Sequence, residues 1–128
     1  VWTCTSCGVQ HRNAKPTWCK GCDRSEFHYF QSQDEADRYA ALRLLESNAM
    51  ISNLHVHPVF EIHVSYPGGE PVPGCKYIAD FIYVRNGESI IEDVKGSTND
   101  AALDPIFKLK RKFMRLAYGI NVTIHVQR

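Results

Sequence analysis

The sequence predicts an α/β fold, an α-β-β-β-α-β core behind a small metal-knuckle module at the N-terminus. Three observations predict it. Helical and strand periodicities follow one another in that order along residues 32–126. An Asn-Gly dipeptide joins two of the strand-like runs, a strong hairpin signal. The first two dozen residues carry two Cys-x-x-Cys pairs and too few apolar side chains for a core of their own. The expected division is a metal module over residues 1–26 and a larger domain over 27–128.

In the module the cysteines read Cys4-x2-Cys7-x11-Cys19-x2-Cys22. Each pair makes a tight knuckle that aims two sulfurs at one ion, and four thiolates are the donor set of a structural tetrahedral zinc site. Cys4, Cys7, Cys19 and Cys22 are therefore expected to hold Zn²⁺ with no open position, a structural role rather than a catalytic one. Trp2 before the first pair and Asn13 between the pairs make the module similar to Ran-binding-protein-type fingers, and a zinc ribbon matches as well. Two such pairs point to a metal site in a reducing setting rather than to disulfides.

The larger domain opens at Ser32-Gln-Asp-Glu35, a capping box, with a helix to about Ser47 whose Glu35, Tyr39, Leu42 and Glu46 share a face. Residues 55–65 alternate as a strand. His55, His57 and His63 fall on one side of it and read as surface residues of a half-exposed strand. A Pro- and Gly-rich loop over 67–74 separates this strand from two more, 76–85 and 88–95, joined by Asn86-Gly87. A loop over 96–100 leads to a helix over about 103–118, with Gly119 as the glycine just past its end. The last strand is 120–126.

The hairpin carries the chemistry. With Asn86-Gly87 as the turn, Arg85 opposes Glu88, Ile82 opposes Ile91, Asp80 opposes Asp93, and Ile78 opposes Lys95. Opposed residues share a face, so Asp80, Asp93 and Lys95 converge, unless a bulge brings Glu92 there instead of Asp93. Opposed carboxylates repel, and a hard cation such as Mg²⁺ relieves this. A lysine beside them can orient water or stabilise charge on phosphate. Glu35 is placed to join from the first helix, although the capping box alone accounts for it. Lys110 falls within the stripe defined by Ile106, Phe113 and Ala117, while Lys108, Arg111, Lys112 and Arg115 point away as an outward basic face suited to phosphate.

Asp80 followed by Asp93-Val94-Lys95 resembles the D…(D/E)-x-K signature of PD-(D/E)XK, or restriction-endonuclease-like, nucleases. More narrowly, residues 27–128 resemble small phage-encoded nucleases and Holliday-junction resolvase-like proteins. The stretches that carry this are Phe30–Tyr39, His57-Pro58-Val-Phe60, Tyr77–Phe81, Glu92–Gly96 and Phe107–Phe113. The chain departs from the pattern at His57, where relatives often carry glutamine before the proline. The resemblance implies a magnesium- or manganese-dependent DNA endonuclease. Asp80, Asp93 and Glu35 would bind the metal, Lys95 would be catalytic, and Lys110 would be auxiliary. It also implies a branched or Holliday-junction substrate, a role in recombination, a homodimer for paired cuts, and a cytoplasmic setting in a bacterial host. A non-catalytic zinc-finger adaptor on the same fold, and an RNase that uses the finger for single strands, are alternatives.

The totals fit these readings. Formal net charge is +1 over 128 residues. Four thiolates around one Zn²⁺ bring it to about −1. Local charge counts for more, because residues 108–115 carry five cationic side chains and no acid. No apolar run approaches the roughly 18 residues that a membrane span requires.

Overall fold

The first helix begins where its capping box places it. In the computed structural model, which describes residues 1–65 and 67–127, α1 spans Gln33–Ser47. Arg128, the last residue of the expected larger domain, lies outside the described residues. Ser32 Oγ accepts the Glu35 N–H at 3.2 Å. Ala36, Tyr39 and Leu42 form the buried stripe of α1.

The fold is mixed α/β. Ahead of α1 come β1 (Trp2–Cys4), β2 (Gln10–His11) and β3 (Phe27–Tyr29), which form a three-stranded sheet in the order β2-β1-β3. After α1 follow β4 (Ser52–Val56), β5 (Val59–Val64), β6 (Val72–Ile78), β7 (Phe81–Arg85) and β8 (Glu88–Lys95). A 3₁₀ turn (Asp100–Ala102), α2 (Pro105–Tyr118) and β9 (Thr123–Val126) complete the chain. The main sheet has the order β4-β7-β8-β9, with β9 parallel to β8. Among the described residues, β5 and β6 pair only with each other. Along the main sheet the order is α1-β4-β7-β8-α2-β9, and the β5–β6 hairpin is an excursion from it.

Two expected strands are each divided. The 55–65 run breaks at His57-Pro58, where His57 adopts φ +54°. The 76–85 run breaks at Ala79-Asp80. Both breaks lie where the chain leaves and re-enters the main sheet, and His57 N–H to Asp80 O at 2.9 Å closes the gap between them. Ile78 therefore pairs with Val59, not with Lys95. The excursion also takes in residues 72–74, expected as loop, and Cys75 packs beside the core from β6. The hairpin register itself is as expected, with Arg85 opposite Glu88 and Ile82 opposite Ile91.

Side chains alternate along β7 and β8 into two cores. Phe81, Tyr83 and Val94 meet Phe30, Ala36, Tyr39 and Leu42 of the α1 side. Ile91 meets Phe107, Met114 and Val122 of the α2 side, with Ile82 packed against them. α2 starts at its N-cap Asp104 and Pro105, and ends at Gly119 with φ +67°. Its buried face differs from the expected one. Phe107 and Met114 are buried, whereas Ile106 is 64% exposed and Ala117 is exposed. Apolar residues lie nearly all round this helix, and the sheet meets the Phe107–Met114 stripe. No described helix is long and apolar enough to cross a membrane.

Candidate metal centre and its surroundings

The N-terminal cysteines converge. One Sγ from each of Cys4, Cys7, Cys19 and Cys22 lies within 4.8 Å of the others. Cys4 to Cys22 is 3.6 Å and Cys7 to Cys19 is 3.4 Å. A tetrahedron with Zn–S of about 2.3 Å has edges of about 3.8 Å, so the donor set fits zinc. The two knuckles repeat one backbone pattern. Gly8 N–H bonds Cys4 O at 3.0 Å, and Asp23 N–H bonds Cys19 O at 2.9 Å. Gly8 (φ +81°) and Asp23 (φ +64°) supply the left-handed residue that each turn needs. The cluster can hold a metal ion, with Cys4 and Cys19 buried.

This module is fastened to α1. Arg43 donates to Cys4 O at 3.3 Å and Ser6 O at 2.8 Å, and its guanidinium lies over the Tyr39 ring. Gln33 links Gln10 and Asp37 at 2.7 and 2.8 Å. β3 adds to β1 across the expected boundary at residue 26.

The hairpin carboxylates form a second cluster. Asp80 N–H donates to Asp93 Oδ1 at 3.2 Å, and Val94 N–H donates to Asp80 Oδ2 at 2.7 Å. Each aspartate thus takes a backbone donor from the opposite strand. Asp93 also accepts from the Tyr77 hydroxyl. Burial pushes the Asp93 carboxyl up to about 6, against the opposing influence of Lys95 and the Asp80 N–H. Burial raises Asp80 as well, opposed by the Val94 N–H and by Lys95. Glu35 rises to about 6 through burial and the negative charge of Asp80. Lys95 counters all three, so its field reaches the whole set. Its ammonium sits 4.2 Å from the centre of the Phe107 ring.

Alternation decides the roles of the paired acids on β8. Glu92 turns toward α1, where Arg38 Nε and a terminal guanidinium nitrogen each donate at 2.8 Å and Tyr83 donates at 2.8 Å. Asp93 faces the other way, toward an open depression lined also by Tyr77, Lys95, Phe107 and Lys110. Lys110 thus stands on the Asp93 side of α2. Lys108, Arg111, Lys112 and Arg115 line a second depression that shares α2 as a wall. Within it Arg111 is not the free outward group expected from its position. It is half-buried and donates to Val122 O at 3.1 Å, because the helix is turned about its axis relative to the expected face. Lys108 pairs with Asp100 at 3.3 Å.

Sequence reasoning missed two residues. His57 is not one of three surface histidines on a common strand face. The kink at Pro58 separates it from His63, and its ring nitrogen lies within 4.8 Å of carboxylate oxygens of Glu35 and Asp80. Burial lowers its pKa and Asp80 raises it. The available signal was a histidine immediately before a proline, at a position that interrupts a regular alternation. Tyr77 was the second, readable as the residue three before Asp80 but not as a partner of Asp93. Among the described residues, no salt bridge engages Glu35, Asp80 or Asp93. Oxygen donors of this kind suit a hard divalent cation.

A family model described as "Protein of unknown function (DUF1064)" matches residues 23–127. The chain belongs to that family. The DUF1064 match begins immediately after Cys22, so it covers α1, the main sheet and α2 and leaves out the four cysteines. No curated protein and no solved structure matches the chain.

Proposed function

We propose that the chain is a divalent-metal-dependent DNA endonuclease of the PD-(D/E)XK kind, acting on branched DNA and carrying a structural zinc. The observation that carries this reading is the approach of Glu35 and Asp80, with carboxylate oxygens within 4.8 Å, and of Asp93 to Asp80, whose N–H it accepts at 3.2 Å, with no salt bridge to any of the three among the described residues. Carboxylates so placed repel one another in their charged form, and a bound cation reverses the sign of that energy. The α1-β4-β7-β8-α2-β9 order supports the same reading.

Glu35, Asp80 and Asp93 would hold Mg²⁺ or Mn²⁺, which supplies Lewis-acid stabilisation of phosphate charge and a lowered pKa for water. Lys95, propped on Phe107, donates to the attacking water and to a phosphate oxygen. Lys110, across the same depression, neutralises a neighbouring phosphate. Lys112 and Arg115, with Lys108, hold the DNA backbone along the other wall of α2, contacts that position DNA without reading its sequence, while Arg111 ties that wall to Val122 O. The Arg38–Glu92 pair fixes the helical turn that carries Glu35 to the strand that carries Asp93. A branch is resolved by two cuts, which a homodimer supplies.

The test is cleavage of labelled duplex, flap, four-way-junction and single-stranded DNA, and of RNA, by the zinc-loaded chain. We expect cutting of branched DNA with Mg²⁺ or Mn²⁺ and none with EDTA. Metal-independent binding without cutting would replace this reading with a non-catalytic adaptor, and cutting confined to RNA would replace the substrate.

A further inference from the structure

We propose that the divalent-cation site takes an imidazole nitrogen from His57 and so selects a first-row transition metal such as Mn²⁺ over Mg²⁺. This rests on the metal-dependent reading above and adds the identity of a ligand and of the metal class. A ring nitrogen of His57 and carboxylate oxygens of Glu35 and Asp80 lie within 4.8 Å of one another. Independent restraints hold the three. The His57 main chain is fixed by its N–H bond to Asp80 O at 2.9 Å, one step beyond the Val56–Phe81 pair of β4 and β7. Asp80 is fixed by Val94 N–H at 2.7 Å. Glu35 is fixed by the Ser32 cap and, one turn on, by the Arg38–Glu92 pair.

The His57 ring packs against Phe30, with centroids 5.5 Å apart, which limits its rotation. The side-chain hydrogen bonds and ion pairs that histidine rings make among the described residues belong to His125 and His63, so the His57 ring is free to ligate. Asp93, by contrast, already accepts from Tyr77 and from the Asp80 N–H. Among the described residues, the ligand atoms that lie within 4.8 Å of one another are two oxygens and one nitrogen, with Asp93 the further oxygen donor of the proposed site. Mg²⁺ and Ca²⁺ are hard ions that favour all-oxygen surroundings, whereas imidazole suits transition ions.

The experiment uses the untagged, zinc-loaded chain without nucleic acid. MnCl₂ and MgCl₂ are titrated by calorimetry, and the Mn²⁺ complex is read by pulsed electron paramagnetic resonance for coupling to an imidazole nitrogen. Asn tolerates the positive φ at position 57, so His57→Asn is the variant of choice. We expect nitrogen coupling in the wild type and none in His57→Asn. We also expect Mn²⁺ to bind at least about tenfold more tightly than Mg²⁺, a preference that shrinks to about threefold or less in the variant. Bound Mn²⁺ without nitrogen coupling, coupling that survives in His57→Asn, equal affinities, or no Mn²⁺ binding would each overturn the inference. The wild-type spectrum decides the ligand question even if the variant does not fold. Nitrogen ligation without DNA cleavage would sink the nuclease reading alone. Cleavage with an all-oxygen Mn²⁺ site would sink this inference alone.

Discussion

Replacing Arg38 with alanine tests the clamp that holds α1, and with it Glu35, against the sheet. Glu92 is 1% exposed and carries two 2.8 Å bonds from Arg38 and one from Tyr83. Removing Arg38 leaves a buried carboxylate with the tyrosine alone. Breaking a buried pair in this way costs about 3–5 kcal/mol, chiefly through the unpaired charge that remains. Because the Arg38 side chain is 14% exposed and water can reach part of the gap, we place the loss at about 3 kcal/mol. At a slope of about 1.5 kcal/mol/M, the urea midpoint should fall by roughly 2 M. The assay is equilibrium unfolding at pH 7 with zinc saturating and no other divalent ion. The double variant Arg38→Met/Glu92→Met removes both charges and should stand within about 1 kcal/mol of wild type. A loss below about 1 kcal/mol in Arg38→Ala, or a double variant no more stable than the single, would refute the reasoning.

Zinc removal by a chelator should unfold residues 1–26 and release the Arg43 contacts while α1 and the main sheet persist. Hydrogen exchange at Trp2–Cys4 reports this, and Co²⁺ substitution should give the absorption of a tetrahedral thiolate site. Glu35 and Asp93 have folded pKa values of about 6, above their ordinary values of 4.5 and 3.8. They therefore contribute stability that is present in acid and lost as pH rises through about 6. Because His28 and His57, lowered by burial, act in the opposite sense, the comparison isolates the carboxyls: between pH 5 and 7.5, without added Mg²⁺ or Mn²⁺, the urea midpoint of the wild type should lose ground to that of Glu35→Gln/Asp93→Asn, and Mn²⁺ should offset that loss. Tyr77→Phe removes a donor to the charged form of Asp93 and should move the acid limb of the cleavage-pH profile upward, with an unchanged limb counting against the contact.

Local signals were legible in the sequence where one short motif settles the structure. Ser32-x-x-Glu35 sets the start of α1, Asn86-Gly87 sets the hairpin register, and Gly119 sets the end of α2. The four cysteines belong to the same group, because the spacing of the two pairs suffices to aim them. The breaks at His57-Pro58 and Ala79-Asp80 were not legible. Alternation continues through both, and what divides them is the departure of β5 and β6 from the main sheet, a tertiary event. The buried face of α2 was ambiguous for a related reason. Ile106, Phe107, Leu109, Phe113, Met114 and Leu116 spread around the helix, and only the sheet's position selects Phe107 and Met114. Of the candidate cluster, the juxtaposition of Asp80 and Asp93 followed from the hairpin register, whereas the pairing used to place Lys95 did not survive the break at Ala79-Asp80. His57 required the kink, which brings a histidine of one expected strand against an aspartate of another.

The most direct test of the account is single-turnover cleavage of a four-way junction by wild type and by Asp93→Asn, each zinc-loaded, in Mg²⁺ and in Mn²⁺. Asn keeps the size of a buried group while removing its charge, so the fold should survive. The account predicts metal-dependent cutting by the wild type and a loss of at least about a hundredfold in the variant. Equal rates in the two proteins, or wild-type cutting that persists in EDTA, would contradict it.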